Sequence, residues 1–497
     1  MADTPLNQLI EIRKKKLAEL KDLGVDPFAF TFDKQESIHT ARDNLGSNVQ
    51  TAGRVLSIRG HGKLTFLDLA DQTGKIQLIV KRDLLDKLEQ KILERLDLGD
   101  IIGVSGTVAK SKTGEISIEV SRLVLLTKSL RPLPGAWHGL KDVEERYRQR
   151  YVDLLLNPDV RRVFDSRTKL VSYLRRFLDK KGFIEVETPV LQPIYGGAVA
   201  RPFTTHHNAL NSDFFLRIAD ELYLKRLIVG GYEKVYEIGK DFRNEGIDRQ
   251  HNPEFSQLEF YWAYADYNDL MQLSEDMLSG AVKEVCGGYK IEYQGQIIDF
   301  APNWKRVTLR ELVLGDTGID IDEVKTEKNL RKAIADKKLI VDLKGIVGYA
   351  NVLDNLYKTY CRPKVIGPTF ITDHPYEAKP LAKRKPGEPN KAASVALVVT
   401  GFEVFNAYSE LNDPLDQRSR WEEEKKLSEA GFEEAMMVDE DYLRALEYGM
   451  PPTAGWGMGI DRFTAIITNQ PSLKDVIIFP TLKPEKFVTK KKPVAKK

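Results

Sequence analysis

The chain has 497 residues, of which 42% are hydrophobic and 30% are charged, and its formal net charge at pH 7 is +2. This length predicts more than one domain. The near-neutral charge excludes a uniformly basic nucleic-acid coat, so any RNA contact must come from local patches. No apolar run approaches the roughly 18 residues of a membrane span, and the basic residues 13–16 exclude a signal-peptide core.

The two cysteines, Cys286 and Cys361, provide neither a disulfide framework nor the spacing of a zinc site. We expect both to be small buried residues of a protein in the reducing cytosol. The sequence therefore predicts a cytoplasmic protein.

Residues 6–23 predict an amphipathic helix that ends at Gly24. Leu17 and Leu20 belong to its apolar stripe, whereas residues 13–16 form a basic face. This face is either the solvated surface of a packing helix or an arm that contacts RNA phosphates, and the pattern leaves both interpretations open.

Between residues 49 and 127 the chain consists of short apolar runs separated by turns that contain glycine. About five such strands predict a small closed barrel of the oligonucleotide-binding (OB) type. Barrels of this kind bind single-stranded nucleic acid by stacking a base on an aromatic ring and by contacting its edge with polar groups. Phe66 is a candidate for such a ring, although the strand pattern alone favours a position in the barrel core.

The sequence RPLPG at residues 131–135 predicts a rigid linker after the barrel. Residues 144–180 then predict a helix with a basic run, 146–150, near its start. The helix ends at Gly182, and a short strand and Pro189 follow.

Residues 214–239 predict a strand, a helix and a second strand, and Glu221 lies where the helix begins. An acid at this position stabilises the helix dipole whether or not it has a further role. Just upstream, His206 and His207 are adjacent. Because neighbours on a strand point to opposite faces, this pair favours structural or RNA-facing roles over a shared metal ion.

The stretch from Asp241 to Phe260 predicts two strands joined by a long polar loop. Arg243, near the turn, carries a planar guanidinium that can bind a carboxylate and a phosphate together. Phe255, after the turn, offers a ring on which a purine can stack. Taken alone, the same pattern also describes a charged surface hairpin.

The next part of the chain predicts a helix over residues 266–286, a helical insertion over 307–365 and an exposed loop over 376–391. Because the insertion separates two candidate site stretches, we expect it to be appended to the sheet rather than woven through it.

Residues 395–403 predict a buried strand, and Asn406, Tyr408 and Glu410 alternate on one face of the strand that follows. A helix with many exposed charges is predicted over residues 416–448.

Residues 455–462 alternate glycine with apolar residues and place Arg462 at the start of a helix. The glycines let the backbone pass close beneath a flat ring. Arg462 then lies where a bent nucleotide triphosphate could reach it.

Three of these stretches, residues 181–189, 241–260 and 455–462, resemble in this order motifs 1, 2 and 3 of class II aminoacyl-tRNA synthetases. The sequences ELYLKR (221–226), RNEG (243–246) and NAYSELND (406–413) resemble class II lysyl-tRNA synthetases in particular. The resemblance extends over roughly residues 1–481.

The resemblance implies an α+β protein with an OB-fold barrel and a catalytic domain built on a mostly antiparallel sheet with helices. The implied divisions are a helical arm (1–48), an anticodon-binding barrel (49–130), a linker (131–143), the catalytic domain (144–485, with the insertion 307–365) and a basic tail (486–497). It also implies a homodimer formed through the motif 1 helix and strand.

The implied activity is the ATP-dependent attachment of L-lysine to tRNA(Lys) through a lysyl-adenylate, with Mg²⁺ as cofactor. The implied catalytic residues are Arg243 and Arg462. The implied ATP-binding residues are Arg243, Glu245, His251, Asn252, Phe255, Glu403 and Arg462, and Glu403 is the implied metal ligand. The implied lysine-binding residues are Gly197, Glu221, Arg243, Glu259, Tyr261, Asn406, Tyr408 and Glu410. The implied anticodon-binding residues are Phe66, Gln77 and Glu119.

The choice of lysine also has a physical argument. A lysine substrate carries one carboxylate and two ammonium groups, so its pocket needs one cation and several acids. Arg243 supplies the cation, Glu221 suits the α-ammonium, and Glu410 with Glu259 suits the ε-ammonium. One alternative is an aspartate- or asparagine-specific relative, which would place a cation or an amide donor at residue 410. Another is a non-enzymatic RNA-binding or regulatory paralogue, which would typically lack a motif or the barrel.

One departure from the family concerns the metal. Lysyl enzymes usually carry a second acid for Mg²⁺ seven residues before the position of Glu403, and this sequence has Ala396 there. The number of Mg²⁺ ions is therefore left open, whereas the class of reaction is not.

Overall fold

The computed structural model describes residues 5–111, 113–134, 140, 142–429 and 437–485. The chain divides into two compact units, residues 1–156 and 157–497. No helix within the described ranges is long and apolar enough to cross a membrane. The predicted tail, 486–497, and part of the predicted linker lie outside the described residues.

The first unit is built around a closed five-stranded barrel. Its strands are β1 (Asn48–His61), β2 (Leu64–Asp71), β3 (Gly74–Lys81), β4 (Ile101–Lys110) and β5 (Ile116–Thr127). Their order is β1-β2-β3-β5-β4, and β3 and β5 are the parallel pair. The helices of this unit are α1 (Leu6–Asp22), α2 (Ile38–Asp43), α3 (Lys87–Arg95), α4 (Val143–Arg148) and α5 (Arg150–Leu156). The predicted OB-type barrel is confirmed.

Strand β2 shows how the sequence builds the barrel. Leu67 and Leu69 are fully buried in the barrel core, whereas Phe66 and Asp68 are half-buried on the opposite face of the strand. This is the period of two that a strand imposes on its side chains. Phe66 therefore lies outside the core, contrary to what the strand pattern alone favoured.

The basic face predicted for α1 is smaller in the structure. Arg13 is buried, and its guanidinium donates to the backbone carbonyls of Ser129 and Leu98, both at 3.0 Å. Lys16 pairs with Asp97 at 2.7 Å. These two side chains hold the helix against the barrel and are not free to contact RNA phosphates.

The single helix predicted over residues 144–180 is three helices, of which the third begins at Pro158. The first break is at Gln149, whose backbone leaves the helical region (φ −109°, ψ 49°). The second precedes the proline, which disfavours a helical conformation in the residue before it and itself suits a first turn. The basic run is not a free surface, because Arg150 is fully buried and pairs with Asp153 at 2.6 Å.

The second unit contains an eight-stranded sheet, smaller sheets and ten α-helices among its described residues. Its strands are β6 (Ile184–Glu185), β7 (Leu191–Gln192), β8 (Phe203–His207), β9 (Ser212–Leu216), β10 (Lys234–Phe242), β11 (Glu254–Ala263), β12 (Lys290–Tyr293), β13 (Gln296–Asp299), β14 (Lys305–Thr308), β15 (Thr369–Thr372), β16 (Arg384–Lys385), β17 (Glu388–Ala392), β18 (Ser394–Val399), β19 (Phe402–Ser409) and β20 (Thr453–Gly459). Its helices are α6 (Pro158–Lys180), α7 (Glu221–Val229), α8 (Tyr267–Cys286), α9 (Leu309–Thr317), α10 (Glu327–Asp336), α11 (Tyr349–Tyr360), α12 (Pro414–Glu429), α13 (Glu440–Glu447), α14 (Ile460–Ile467) and α15 (Leu473–Val476).

The large sheet has the order β14-β15-β18-β19-β20-β11-β10-β6. Its neighbours are antiparallel except for the pairs β14–β15 and β10–β6. The mostly antiparallel catalytic sheet that the family resemblance implied is confirmed.

One face of this sheet packs on α6, α8 and α14. In β11, Leu258 and Phe260 are fully buried in this apolar core, whereas Glu259 and Tyr261 face a cavity on the other side. The alternation along one strand thus separates the core from the side chains of the candidate site.

Three local predictions are wrong. The strand predicted over residues 395–403 is interrupted at Thr400 and Gly401, whose φ angles are 50° and 75°, so Glu403 belongs to β19 with Asn406. The loop predicted over residues 376–391 contains the hairpin β16–β17. Cys286 is exposed, whereas Cys361 is buried as expected.

The helical insertion predicted over residues 307–365 contains α9, α10 and α11, which share an apolar core with Ile371 and Val398 of the sheet. The helix predicted over residues 416–448 is two helices, because Asp439 accepts a hydrogen bond from the Tyr442 N–H and so begins α13. Residues 430–436, between the two, lie outside the described residues.

Arg217 fixes the backbone behind the motif 2 hairpin. Its side chain is fully buried, and its guanidinium donates to Glu237 at 2.5 Å and to the Lys240 carbonyl at 3.0 Å. A Cβ atom at Gly239 would overlap this guanidinium. Residue 239 is therefore a glycine because the packing of Arg217 leaves no room for a side chain there.

We predict that Gly239→Ala lowers the free energy of unfolding by about 1–3 kcal/mol, because the added methyl group must displace a buried ion pair. The control is Gly315→Ala on the exposed surface of α9, where the space is open and the change should gain up to about 1 kcal/mol. Denaturant unfolding of both variants is the measurement. Equal effects of the two changes would show that residue 239 has room for a side chain.

Candidate active site

A cavity of about 550 Å³ lies on the face of the large sheet that carries Glu259 and Tyr261. Strands β11, β19 and β20 form its floor, and the loop between β10 and β11 lies along its edge. Thirteen of the residues predicted for ATP and lysine line it: Gly197, Glu221, Arg243, Glu245, His251, Asn252, Phe255, Glu259, Tyr261, Glu403, Asn406, Tyr408 and Arg462. The structure thus brings together residues that are up to 265 positions apart in the sequence (462 − 197).

The motif 2 loop places Arg243 at this cavity. The Arg243 N–H donates to the Pro253 carbonyl at 2.8 Å, which ties the two ends of the loop together. The guanidinium lies over the ring of Phe255 at 4.9 Å and donates weakly to the Ile218 carbonyl at 3.4 Å. No carboxylate of the described residues forms an ion pair with Arg243, although Asp241 interacts with it at longer range, so its N–H donors are available to an anionic ligand.

Other groups of the loop are held by the protein itself. His251 Nδ1 pairs with Asp248 at 2.9 Å. Asn252 is buried, and its amide oxygen accepts a hydrogen bond from the Thr481 N–H at 3.2 Å. Glu245 lies exposed at the cavity edge.

Motif 3 supplies a second arginine. Arg462 follows the glycine-rich strand β20 in the first turn of α14, and its guanidinium donates to the Glu403 carbonyl at 2.6 Å. Its buried Nε has no hydrogen-bond partner among the described residues. A buried polar hydrogen without a partner is costly, and an anion in the cavity would satisfy it.

Carboxylates occupy the other end of the cavity. Glu221, the first residue of α7, accepts a hydrogen bond from the Tyr408 hydroxyl at 3.0 Å. Glu259 accepts one from the Tyr261 hydroxyl at 2.5 Å. The two glutamates and the two tyrosines all line the cavity. Burial raises the pKa of the Glu221 carboxyl above its ordinary value. This end suits a cationic group.

Glu410 is the one predicted lysine-binding residue that does not line the cavity. It is fully buried beneath Gly455, where any side chain at residue 455 would overlap its carboxylate. Its partner is the ammonium of Lys225, which also bonds to Glu221 at 2.5 Å. The assignment of Glu410 to the substrate thus stays a prediction, and the structure adds a side chain between the two acids.

Sequence reasoning missed Lys225 as part of this site. Its side chain is fully buried, and its ammonium lies 5.8 Å from the ring centres of both Tyr261 and Tyr408. Burial opposes its charge, but Glu221 and Glu410 raise its pKa above the ordinary value. The spacing of Glu221 and Lys225, four residues apart on one helix, was the available signal.

A second group of acids lies behind this end of the cavity. Both oxygens of the fully buried Asp220 lack a hydrogen-bond partner among the described residues, and burial followed by the neighbouring Glu259 raises its pKa well above the ordinary value. Burial raises the pKa of Asp241 to about 7, although Arg217 lies 3.1 Å away. Burial thus favours the protonated form of both carboxyls.

Comparisons with known proteins agree with this geometry. Residues 142–483 match the family model of class II tRNA synthetases (D, K and N), and residues 49–126 match that of the OB-fold nucleic acid binding domain. The chain is 49% identical to a lysine–tRNA ligase of Pelotomaculum thermopropionicum, with 96% of each chain covered. It is also 49% identical to that of Clostridium tetani, with 96% of each covered, and 47% identical to that of Moorella thermoacetica, with 96% of this chain and 98% of the relative covered.

The chain belongs to the lysine–tRNA ligase family of class II tRNA synthetases. As a class II synthetase it has both parts that the sequence predicted, the OB-fold barrel and the catalytic sheet.

In this synthetase the three residues predicted for anticodon contact share one face of the barrel. Phe66 in β2 stands opposite Ile79 in β3, which in turn stands opposite Glu119 in β5. Gln77 lies two residues before Ile79 and therefore points to the same face. Glu119 accepts a hydrogen bond from Lys81 at 2.9 Å. The predicted residues thus share one face of three neighbouring strands, on which Gln77 is buried and bonded to Glu115 and Ser117.

We predict that Asp241→Asn weakens the pH dependence of folding stability. Because the pKa of Asp241 is about 7 in the folded protein and near the ordinary 3.8 in the unfolded chain, the folded state binds a proton between these values that the unfolded state releases. The stability that the protonated Asp241 carboxyl allows is fully present below pH 4 and is lost as the pH rises through about 7. The loss in the free energy of unfolding is on the order of 2–4 kcal/mol.

Denaturant unfolding of both proteins between pH 4.5 and 8 tests this, and the stability of the variant relative to the wild type should increase with pH. Asp336→Asn, at an exposed position of α10, serves as the control. Parallel pH profiles for wild type and Asp241→Asn would contradict the prediction.

Proposed function

We infer that the protein attaches L-lysine to tRNA(Lys) in two steps. The lysine carboxylate first attacks the α-phosphate of ATP, which forms lysyl-adenylate and releases pyrophosphate. A terminal hydroxyl of the tRNA then attacks the activated carbonyl, which releases AMP. The observation that carries this proposal is one cavity with arginines at one end and buried acids at the other.

The first step needs positioning and charge neutralisation more than proton transfer. Arg243 is suited to bind the lysine carboxylate and the α-phosphate together, since it has no carboxylate partner of its own among the described residues. Arg462 is suited to bind the terminal phosphates through its free Nε. A neutral carboxylic acid would be a poor nucleophile, but the lysine carboxylate is already ionised at neutral pH, so no general base is required.

The adenosine part of ATP is assigned to the motif 2 loop. Phe255 offers a ring face to adenine, and Glu245, His251 and Asn252 lie around it along the same cavity wall. In the structure the guanidinium of Arg243 covers one face of that ring, which leaves the other face for the base.

The acidic end of the cavity selects lysine. Glu221, with the backbone of Gly197 beside it, suits the α-ammonium. Glu259 and Tyr261 suit the ε-ammonium, with Glu410 behind them. A substrate with a side-chain carboxylate would face these acids directly, and like charges at such distances repel. An aspartate-specific function is therefore disfavoured.

A single Mg²⁺ fits the donor set of this cavity. Glu403 is a half-buried carboxylate of the cavity wall, and Mg²⁺ is commonly bound by one or two carboxylates together with substrate phosphates. Within the described residues, no group of three or more His, Cys, Asp or Glu side chains is arranged to hold a metal. When bound, Mg²⁺ would neutralise phosphate charge at Glu403.

We also propose that the protein is a cytoplasmic homodimer. Strand β6 is the last strand of the large sheet, and the side chains of Ile184, Val190 and Leu191 nearby are exposed. Apolar side chains at an exposed sheet edge are typical of a subunit interface.

Amino-acid-dependent exchange of pyrophosphate into ATP, measured with each of the twenty amino acids, tests the first step. We expect lysine to support exchange and the others to support little. Charging of purified tRNA with labelled lysine then tests the second step. Exchange with aspartate or asparagine in place of lysine, or with no amino acid at all, would contradict the proposal.

We predict that Phe66→Ala weakens tRNA charging by about 1–3 kcal/mol in kcat/KM for tRNA, because a base loses its stacking partner. Lysine-dependent pyrophosphate exchange should stay unchanged, since no anticodon takes part in it. Phe30→Ala is the control, because Phe30 is a fully exposed phenylalanine of the same unit. A loss of both activities in Phe66→Ala would assign Phe66 to the stability of the barrel instead.

A further inference from the structure

One cation of the cavity has no role in the reaction described so far. Lys379 follows the short helical turn Tyr376–Ala378 and lines the cavity. Its half-buried side chain donates to the amide oxygen of Asn406 at 2.8 Å. That neutral oxygen is its one side-chain partner in the described part of the chain. The other lysine of the cavity wall, Lys358, is exposed and pairs with Asp354 at 2.5 Å.

No acid forms an ion pair with Lys379 among the described residues, and the nearest link to a carboxylate runs through Asn406. Asn406 also donates from its amide nitrogen to the Glu403 carboxylate, so Lys379, Asn406 and Glu403 form a chain of hydrogen bonds along one wall. Ala396 stands directly opposite Asn406 in the neighbouring strand β18 and points to the same face. A carboxylate at residue 396 would lie close to this ammonium, and the sequence has a methyl group there.

An ammonium with a neutral partner, inside a cavity, indicates an anionic ligand. Removing a charge from water is costly unless an opposite charge replaces the lost solvent. Within the described ranges Lys379 has no direct ion-pair partner. The phosphates of ATP are the multiply charged anions that the proposed function brings into the cavity. The bond to Asn406 uses one of the three ammonium hydrogens and leaves two for a ligand.

We propose that Lys379 contacts the phosphates of ATP and supplies, as a fixed ammonium, positive charge that a second Mg²⁺ ion would otherwise supply. The inference rests on the proposed function, because ATP is the anion it requires. With Glu403 as the carboxylate bonded to Asn406 and Lys379 on the other side of that asparagine, the site holds a single Mg²⁺. A second divalent ion near Ala396 would meet a methyl group and a like charge, both of which oppose its binding.

The test removes the charge of Lys379 and keeps its polarity. Lys379→Gln can still donate to Asn406, and Lys379→Arg keeps the charge. The matched control is Lys383→Gln, because Lys383 also donates to an asparagine amide oxygen, that of Asn412 at 2.7 Å, but is exposed and lies outside the cavity wall. Binding of ATP in the presence of chelator, without lysine, is measured by calorimetry for each protein.

We expect Lys379→Gln to weaken metal-free ATP binding by about tenfold or more, since a charge-assisted hydrogen bond is lost. Lys379→Arg should stay within a few fold of the wild type, and Lys383→Gln should match it. If Lys379→Gln raises the KM for lysine and leaves ATP binding unchanged, the ammonium serves the amino acid and the proposal is wrong. If Lys379→Gln binds ATP and lysine as Lys383→Gln does, the Lys379 ammonium contacts neither substrate and the proposal is wrong.

The number of metal ions provides an independent readout. Titration of Mn²⁺ into protein with saturating ATP, followed by electron paramagnetic resonance, should give one ion per site beyond those on free ATP for the wild type. The double variant Ala396→Glu, Lys379→Gln should bind more Mn²⁺ per site than either single variant. Two ions in the wild type would overturn the proposal. Absence of lysine-dependent exchange in the wild type would instead overturn the proposed function, whatever the variants show.

Discussion

The site depends on the balance of charge beneath the floor of the cavity. Lys225 is fully buried between Glu221 and Glu410, and it cannot be removed without leaving two carboxylates unpaired in the protein interior. Breaking a buried pair in this way typically costs about 3–5 kcal/mol. This one ammonium pairs with two acids, Glu221 and Glu410. Glu259 accepts hydrogen bonds from the neutral side chains of Tyr261 and Gln257, so the pocket stays short of positive charge. A substrate with an ammonium on its side chain supplies what the fold lacks.

The two ends of the cavity have opposite character because of the strands that build it. Glu259 and Tyr261 alternate in β11 with residues that pack on α6 and α8, and Asn406 and Tyr408 do the same in β19. The cations come from outside these strands: Arg243 from a loop, Arg462 from a helix start and Lys379 from a turn. Under the proposed function, a zwitterion with an extra ammonium would bind with its carboxylate toward the arginines, the end where ATP would present its α-phosphate.

Much of this arrangement could be predicted from the sequence, since alternation and glycine spacing depend on local geometry. These two patterns correctly located the barrel, the motif 2 hairpin and the transition from strand to helix before Arg462. Some failures were local, such as the helix break before Pro158, whereas others depend on contacts between distant residues. The burial of Arg13 follows from carbonyls near residues 98 and 129, and the role of Lys225 follows from Glu410, which is 185 positions away in the sequence (410 − 225). Lys379 lay in a stretch that its charge and prolines marked as an exposed loop, because the pattern could not show that Asn406 would bond to it.

The central claim is that buried carboxylates recognise the ε-ammonium of the substrate. The most direct measurement compares lysine with two uncharged analogues in pyrophosphate exchange at saturating ATP. In 6-hydroxynorleucine a hydroxyl replaces the ε-ammonium at the same chain length, and norleucine keeps the four carbons but lacks the terminal group. The account predicts that kcat/KM falls by at least about a hundredfold for both analogues, because the acids would stay buried without a cation. Exchange with either analogue within about threefold of lysine would show that shape alone selects the substrate and would contradict the account.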